Sequence, residues 1–79
     1  MNEATEIEVL DLKGLNCPLP VLKTRKALKL RKPGDQVWVE TTDPLAVLDI
    51  PAFCNENAHT LVQHEEGEDC QRFLIEKGG

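Results

Sequence analysis

The residue with the most chemistry to offer is Cys17, and its setting is unusual: it stands in the stretch Gly14-Leu15-Asn16-Cys17-Pro18-Leu19-Pro20. A thiol lies directly before two prolines spaced one residue apart, at the point where a helical pattern begins. If Pro18 is the first helical residue, Cys17 is the N-cap, and its sulfur lies beside unsatisfied backbone N–H groups at the positive end of the helix dipole. That position predicts a lowered thiol pKa, and the thiolate is the nucleophile. Pro18 has its φ already set for a first helical turn, and Pro20 sits where a missing N–H costs little. Gly14 lets the chain turn sharply into the helix, so the expectation is a nucleophilic thiol held rigidly at a loop tip.

The other reactive side chains suggest less. A protease-like thiol needs a histidine base, and the two histidines, His59 and His64, lie far along the chain with neither spacing nor context to mark them. Metal sites built from Cys and His favour close pairs such as CxxC or HxxxH, which are missing here, so no metal and no cofactor is expected. Cys54 falls at helical spacing from Val47 and Ile50 and reads as a buried apolar residue. Cys70 follows Glu68 and Asp69, whose charge disfavours a thiolate, and reads as a partly exposed, unreactive thiol. Trp38 reads as a sheet residue.

Cys17 must be positioned by the elements around it. "EIEVLDL" (6–12) carries Ile7, Val9, Leu10 and Leu12 among acids and reads as a first strand. From residue 18 to about 30 the apolar spacing changes, with Pro20, Val21, Thr24, Ala27 and Leu28 on one arc of an amphipathic helix. "KPGD" ends it, and "QVWVETT" (36–42) is a second strand. Asp43 and Pro44 read as the N-cap and first residue of a second helix, with a kink or restart near Ile50 caused by Pro51. A third strand over 59–63 and a turn through "EEGED" (65–69) lead into a last strand, "CQRFLIE" (70–76), forming a hairpin. The order is βαβαββ, which predicts an α/β two-layer sandwich: a four-stranded mixed sheet with both helices on one face.

Length and charge set the outer bounds. Seventy-nine residues make one small domain, 1–79, with 1–5 expected to be flexible. Three cysteines, with neither a CxxC pair nor a leader-like N-terminus, fit a reducing compartment, and no run of ~18 apolar residues marks a membrane span. A cytoplasmic monomer is expected. The net charge of −5 and the scarcity of aromatics argue against direct nucleic-acid binding. Yet six of the nine basic residues lie between Lys23 and Lys32, so one face is basic. Leu19 and Leu22, with Lys23, Arg25 and Lys26, outline a mixed apolar and positive surface beside the thiol, suited to docking an acidic protein partner.

The stretch "LDLKGLNCPLPVLKTRKAL", together with the downstream "DP", "DIPAFC" and terminal "FLIEKGG", resembles the TusA/SirA family of small sulfur-carrier proteins and its CPxP box. The likeness covers nearly the whole chain after the first few residues. It implies the same βαβαββ fold, and a sulfurtransferase acting as a carrier from protein to protein. Cys17 would accept sulfane sulfur as a persulfide from a donor, a cysteine desulfurase or rhodanese, and pass it to an acceptor protein's cysteine. Relays of this kind serve tRNA thiolation, cofactor synthesis or sulfur oxidation. Asp11 and Gly14 would shape the loop, and Pro18 and Pro20 would position the thiol. Two other classes make different predictions: a regulatory interaction module would work without the thiol, and a redox sensor would oxidise Cys17 reversibly with Cys54 or Cys70.

Overall fold

Residues 36–41 are rich in β-branched and aromatic side chains, and the computed structural model, which describes residues 7–78, folds them as a strand whose residues alternate between its two faces. Val37, Val39 and Thr41 are buried on one face, while Gln36, Trp38 and Glu40 are half-buried on the other. The elements are β1 (Glu8–Asp11), α1 (Leu19–Lys29), β2 (Gln36–Thr41), α2 (Ala46–Glu56), β3 (Thr60–Glu66) and β4 (Gln71–Glu76), the βαβαββ order expected. The strands form one mixed sheet in the order β1-β2-β4-β3. β1 runs parallel to β2, and β4 is antiparallel to both β2 and β3. The segment 1–5, expected to be flexible, lies outside the described residues.

Both helices pack on the Val37 face. Leu28 from α1 and Ala46, Ile50, Phe53 and Cys54 from α2 join Val37, Val39, Phe73 and Ile75 in one core cluster. Each large side chain buried there contributes roughly 1.5–3 kcal/mol relative to exposure. On the opposite face Trp38 pairs across the sheet with Leu74, and the Arg72 guanidinium lies 4.2 Å from the centre of the indole. Arg72 also forms ion pairs at 3.2 Å with Glu40 and with Glu65, so this face is covered partly by its own charges.

Several boundaries differ from the sequence reading, each for a local reason. α1 begins at Leu19, one residue later than expected, because Pro18 occupies the N-cap position with φ −99° and ψ 16°. α2 begins at Ala46, so Asp43 is not its N-cap; instead Asp43 holds a preceding turn, in which its Oδ1 accepts the Leu45 N–H at 3.1 Å and its carbonyl accepts the Ala46 N–H at 3.0 Å. No restart occurs at Pro51: α2 is one helix through that residue. Ala46 and Ile50 before Pro51, and Phe53 and Cys54 after it, are buried together, and that shared burial outweighs the single backbone hydrogen bond that proline removes. β1 starts at Glu8, and Glu6 lies outside the described residues. β3 runs on through Glu65 and Glu66, with a bulge between Leu61 and Gln63, and the turn tightens to Gly67, whose N–H bonds the Cys70 carbonyl. β4 therefore starts at Gln71 and not at Cys70.

The end of α2 is tied to the end of β4. Ala58 takes a left-handed conformation, φ 61°, and the His59 N–H returns to the Cys54 carbonyl at 2.9 Å, closing the helix. His59 Nδ1 then accepts the Gly78 N–H at 3.0 Å, and its ring lies tilted 5.4 Å from Phe53. Only glycine fits at 78, since a Cβ there would fall 1.6 Å from the Ala58 carbonyl oxygen. Burial, and then the Lys77 charge, lower the His59 pKa below its ordinary value. The unfolded chain thus takes up this proton first. Its stabilising share is full above about pH 6.5 and is lost as pH falls through that value toward the folded pKa. Between pH 7.5 and 5.5 the urea midpoint of the wild type should fall more than that of His59→Asn; equal falls would show that this ring does not sense pH.

Candidate functional site

Parallel pairing of β1 with β2 places the ends of both strands side by side, so the loops that follow them meet. Leu12 extends the pairing by donating to the Glu40 carbonyl at 2.8 Å, and the Gly14 N–H bonds Thr42 Oγ1 at 2.9 Å, joining the two loops directly. Gly14 takes φ 88°, which a glycine accommodates without strain, and turns the chain toward Cys17. Asp11 closes the start of the turn: its Oδ1 accepts the Lys13 N–H at 3.1 Å and pairs with Lys13 Nζ at 2.9 Å, and that lysine holds the Asp11 carboxyl below its usual pKa. Asp11 and Gly14 therefore both hold the loop. The crevice beyond the carboxyl ends of parallel strands is a recurrent place for sites, and Cys17 lies there.

Cys17 is exposed, Cys54 is buried and Cys70 is intermediate; among the described residues all three are free thiols. Burial pushes the Cys54 thiol up to about 11, which leaves it inert. Cys17 opens onto a shallow groove lined by Pro18, Val21, Arg25, Asp49, Ala52, Phe53 and Glu56. The groove is mostly apolar, and at about 280 Å³ it is small for a drug-like ligand. No histidine lines it. The sequence missed Asp49 and Asp43, which the fold brings to the thiol: one oxygen of each lies within 4.8 Å of Cys17 Sγ and of the other. Nothing local marked them: Asp43 read as a helix cap, and Asp49 was not singled out.

Those acids reverse the expected electrostatics. The Cys17 pKa is raised, first by the Asp49 carboxylate beside its sulfur, then by desolvation and by the charges of Asp49 and Asp43. The helix does not compensate. Cys17 stands one residue outside the N-cap, and the orphan N–H groups that make a helix start positive are mostly absent. Pro18 and Pro20 have none, and the Leu19 N–H is spent on the Asn16 carbonyl at 2.8 Å. The prolines that position the thiol also remove the donors that would have stabilised a thiolate. The acids thus favour the protonated thiol over the thiolate.

The expected docking residues divide between two surfaces. Leu19 and Leu22 are exposed, at 42% and 48%, and Lys23 and Lys26 are exposed beside them. Arg25 lies roughly 120° round the helix from Leu19. It borders the Cys17 groove, with its guanidinium 5.9 Å from the centre of the Phe53 ring. Pro18, Cys17 and Arg25 thus share the groove, and the leucine and lysine arc flanks it. Pro20 is buried under the first turn, where it anchors α1 to the core side.

A family model described as Sulfurtransferase TusA matches residues 8–77, which takes in the thiol, both loops and every strand. Among solved structures, the fold is similar to that of a SirA-like protein from Desulfitobacterium hafniense, with a TM-score of 0.79 and 21% identity over 92% of this chain and 100% of that one. At that identity the likeness is one of fold.

A direct consequence of the geometry concerns Asp49. The groups facing Cys17 are Asp49 and Asp43, with Arg25 and Glu56 along the groove. Replacing Asp49 by Asn removes the negative charge that favours the proton on sulfur and leaves a weaker, neutral amide oxygen with an N–H2 donor beside it. The pH midpoint for alkylation of Cys17 by iodoacetamide should move down, and the rate at pH 7 should rise. An unchanged or slower reaction in Asp49→Asn would show that the carboxylate does not control the thiol.

Proposed function

The chain belongs to the TusA family of sulfurtransferases, and from that premise we propose that it carries sulfane sulfur on Cys17 from a donor protein to an acceptor protein. The observation that carries this reading is the contrast among three thiols: Cys17 alone is exposed, and it borders an open, largely apolar groove. The steps balance without any cofactor. In the first, Cys17 sulfur attacks the outer sulfur of a donor persulfide, the donor's S–S bond breaks, and Cys17–S–SH forms as the donor thiol leaves with a proton. In the second, an acceptor thiol attacks the outer sulfur, the Cys17 S–S bond breaks, and Cys17 returns to its thiol.

The raised pKa suits a carrier. A thiol of higher pKa is the poorer leaving group in exchange and, once deprotonated, the stronger nucleophile. A persulfide on Cys17 is thereby protected from stray small thiols, since releasing its outer sulfur requires Cys17 to leave as a thiolate beside Asp49 and Asp43. Loading and unloading then wait for a partner that places a cation or a proton near the sulfur. In this reading the donor is a cysteine desulfurase or a rhodanese, and the relay serves tRNA thiolation, cofactor synthesis or sulfur oxidation. The carrier works as one cytoplasmic domain and a monomer, with the arc of Leu19, Leu22, Lys23 and Lys26 meeting an acidic partner. Burial of Cys54 argues against a redox pair with Cys17.

Intact mass under non-reducing conditions, after incubation with a cysteine desulfurase and cysteine, tests the reading. The wild type and Cys54→Ser should each gain one reducible sulfur atom, and Cys17→Ser none. No gain with that donor, and none with a rhodanese and thiosulfate, would remove the carrier reading and favour an interaction module.

A further inference from the structure

The loop after β2 leaves one polar atom without a partner. Asp43 is 5% exposed, and although its Oδ1 accepts the Leu45 N–H, its Oδ2 is buried with no hydrogen-bond partner. The turn it holds ahead of α2 thus explains only half of this carboxylate. The same carboxylate comes within 4.8 Å of Cys17 Sγ and of an Asp49 oxygen, so two acids and a thiol converge with an acceptor left over. Arg25 is the cation bordering this groove, and its guanidinium lies over the Phe53 ring. A buried carboxylate next to a second carboxylate is costly unless a positive charge offsets the pair.

We propose that Cys17, Asp43 and Asp49 form a binding site for a borderline divalent cation of the zinc type, held by one sulfur and two carboxylate oxygens. Tetrahedral zinc with sulfur at about 2.3 Å and oxygen at about 2.1 Å needs its donors roughly 3.5 Å apart, and donors within 4.8 Å reach that by small side-chain rotations. Three protein ligands leave a fourth position, on the exposed side of Cys17, for water or a partner's donor atom. Sulfur in the set selects against magnesium and calcium, which prefer oxygen alone. Binding exchanges the Cys17 proton for the metal: the S–H bond breaks, the sulfur–metal bond forms, and the proton goes to solvent. In the carrier reading, on which this consequence rests, a metal-bound Cys17 cannot attack a persulfide, so the cation would act as a reversible block on sulfur loading.

Cobalt(II) reports the site without any sulfur donor. The full reduced chain, freed of metal, is titrated with cobalt(II) alone while the thiolate-to-cobalt charge-transfer absorption is followed, with circular dichroism confirming the fold of every variant. The wild type should develop the band, zinc should abolish it, and excess magnesium should not. Cys17→Ser should lack the band, and Asp43→Asn and Asp49→Asn should each weaken binding about tenfold or more. No band in the wild type, a band retained in Cys17→Ser, or an affinity unchanged in both Asn variants would overturn the site. If Asp43→Asn does not fold, Asp49→Asn decides alone. A cobalt band in a protein that never gains sulfur would keep the metal site and discard the carrier reading; sulfur gain with no band would do the reverse.

Discussion

The parallel pairing of β1 with β2 is the contact on which the site depends. Antiparallel neighbours joined by a tight hairpin would carry one loop between them. Parallel neighbours need a helical crossover, and their ends and following loops then lie together at the same edge of the sheet. Here one loop brings Cys17 and the other brings Asp43, and the bond from Gly14 to Thr42 fixes their separation. The helix after the second loop then contributes Asp49 and the wall formed by Ala52 and Phe53. Everything the thiol meets outside its own loop and α1 comes through this one pairing.

The second constraint is the number of free amides at the start of α1. A helix N-terminus stabilises an anion through unpaired N–H groups, and its strength depends on how many remain. Two prolines in the first positions and the Asn16 acceptor leave few. Rigid presentation of the sulfur and stabilisation of its thiolate are therefore opposed in this sequence. Pro18 and Pro20 favour the first at the expense of the second, and the nearby acids push in the same direction.

Much of this was legible from the residues, and the remainder was hidden for a physical reason. Strands and helices follow local periodicity, so Val37, Val39 and Thr41 on one face, and Thr24 and Leu28 under α1, could be placed without a structure. So could the burial of Cys54 and the exposure of Cys17. The missing N–H of each proline was equally visible, but was read only for helix geometry and not for its effect on the sulfur. Asp43 and Asp49 were not legible, because their meeting with Cys17 depends on strand order and direction, which local spacing does not encode. Continuity of α2 through Pro51 is a similar case: shared burial of Ile50 and Phe53 decides it, and that burial exists only once the sheet is assembled.

The charge pattern around the sulfur also bears on how a partner would approach. Six cations lie between Lys23 and Lys32 in a chain of net charge −5, while Asp49 and Glu56 line the groove and Asp43 lies close to the sulfur. An acidic surface drawn to Lys23 and Lys26 is repelled from the groove, so the two fields orient it as well as attract it. Leu19 belongs to both the exposed arc and the CPxP box, two residues from Cys17 in the chain. Covering the thiol removes water from Asp49 and Asp43 and strengthens their hold on the proton unless the newcomer brings positive charge of its own. In the proposed carrier reading, a partner that moves sulfur here therefore needs an acidic rim to find the helix and a basic centre to free the sulfur, a stricter requirement than attraction to a basic patch alone.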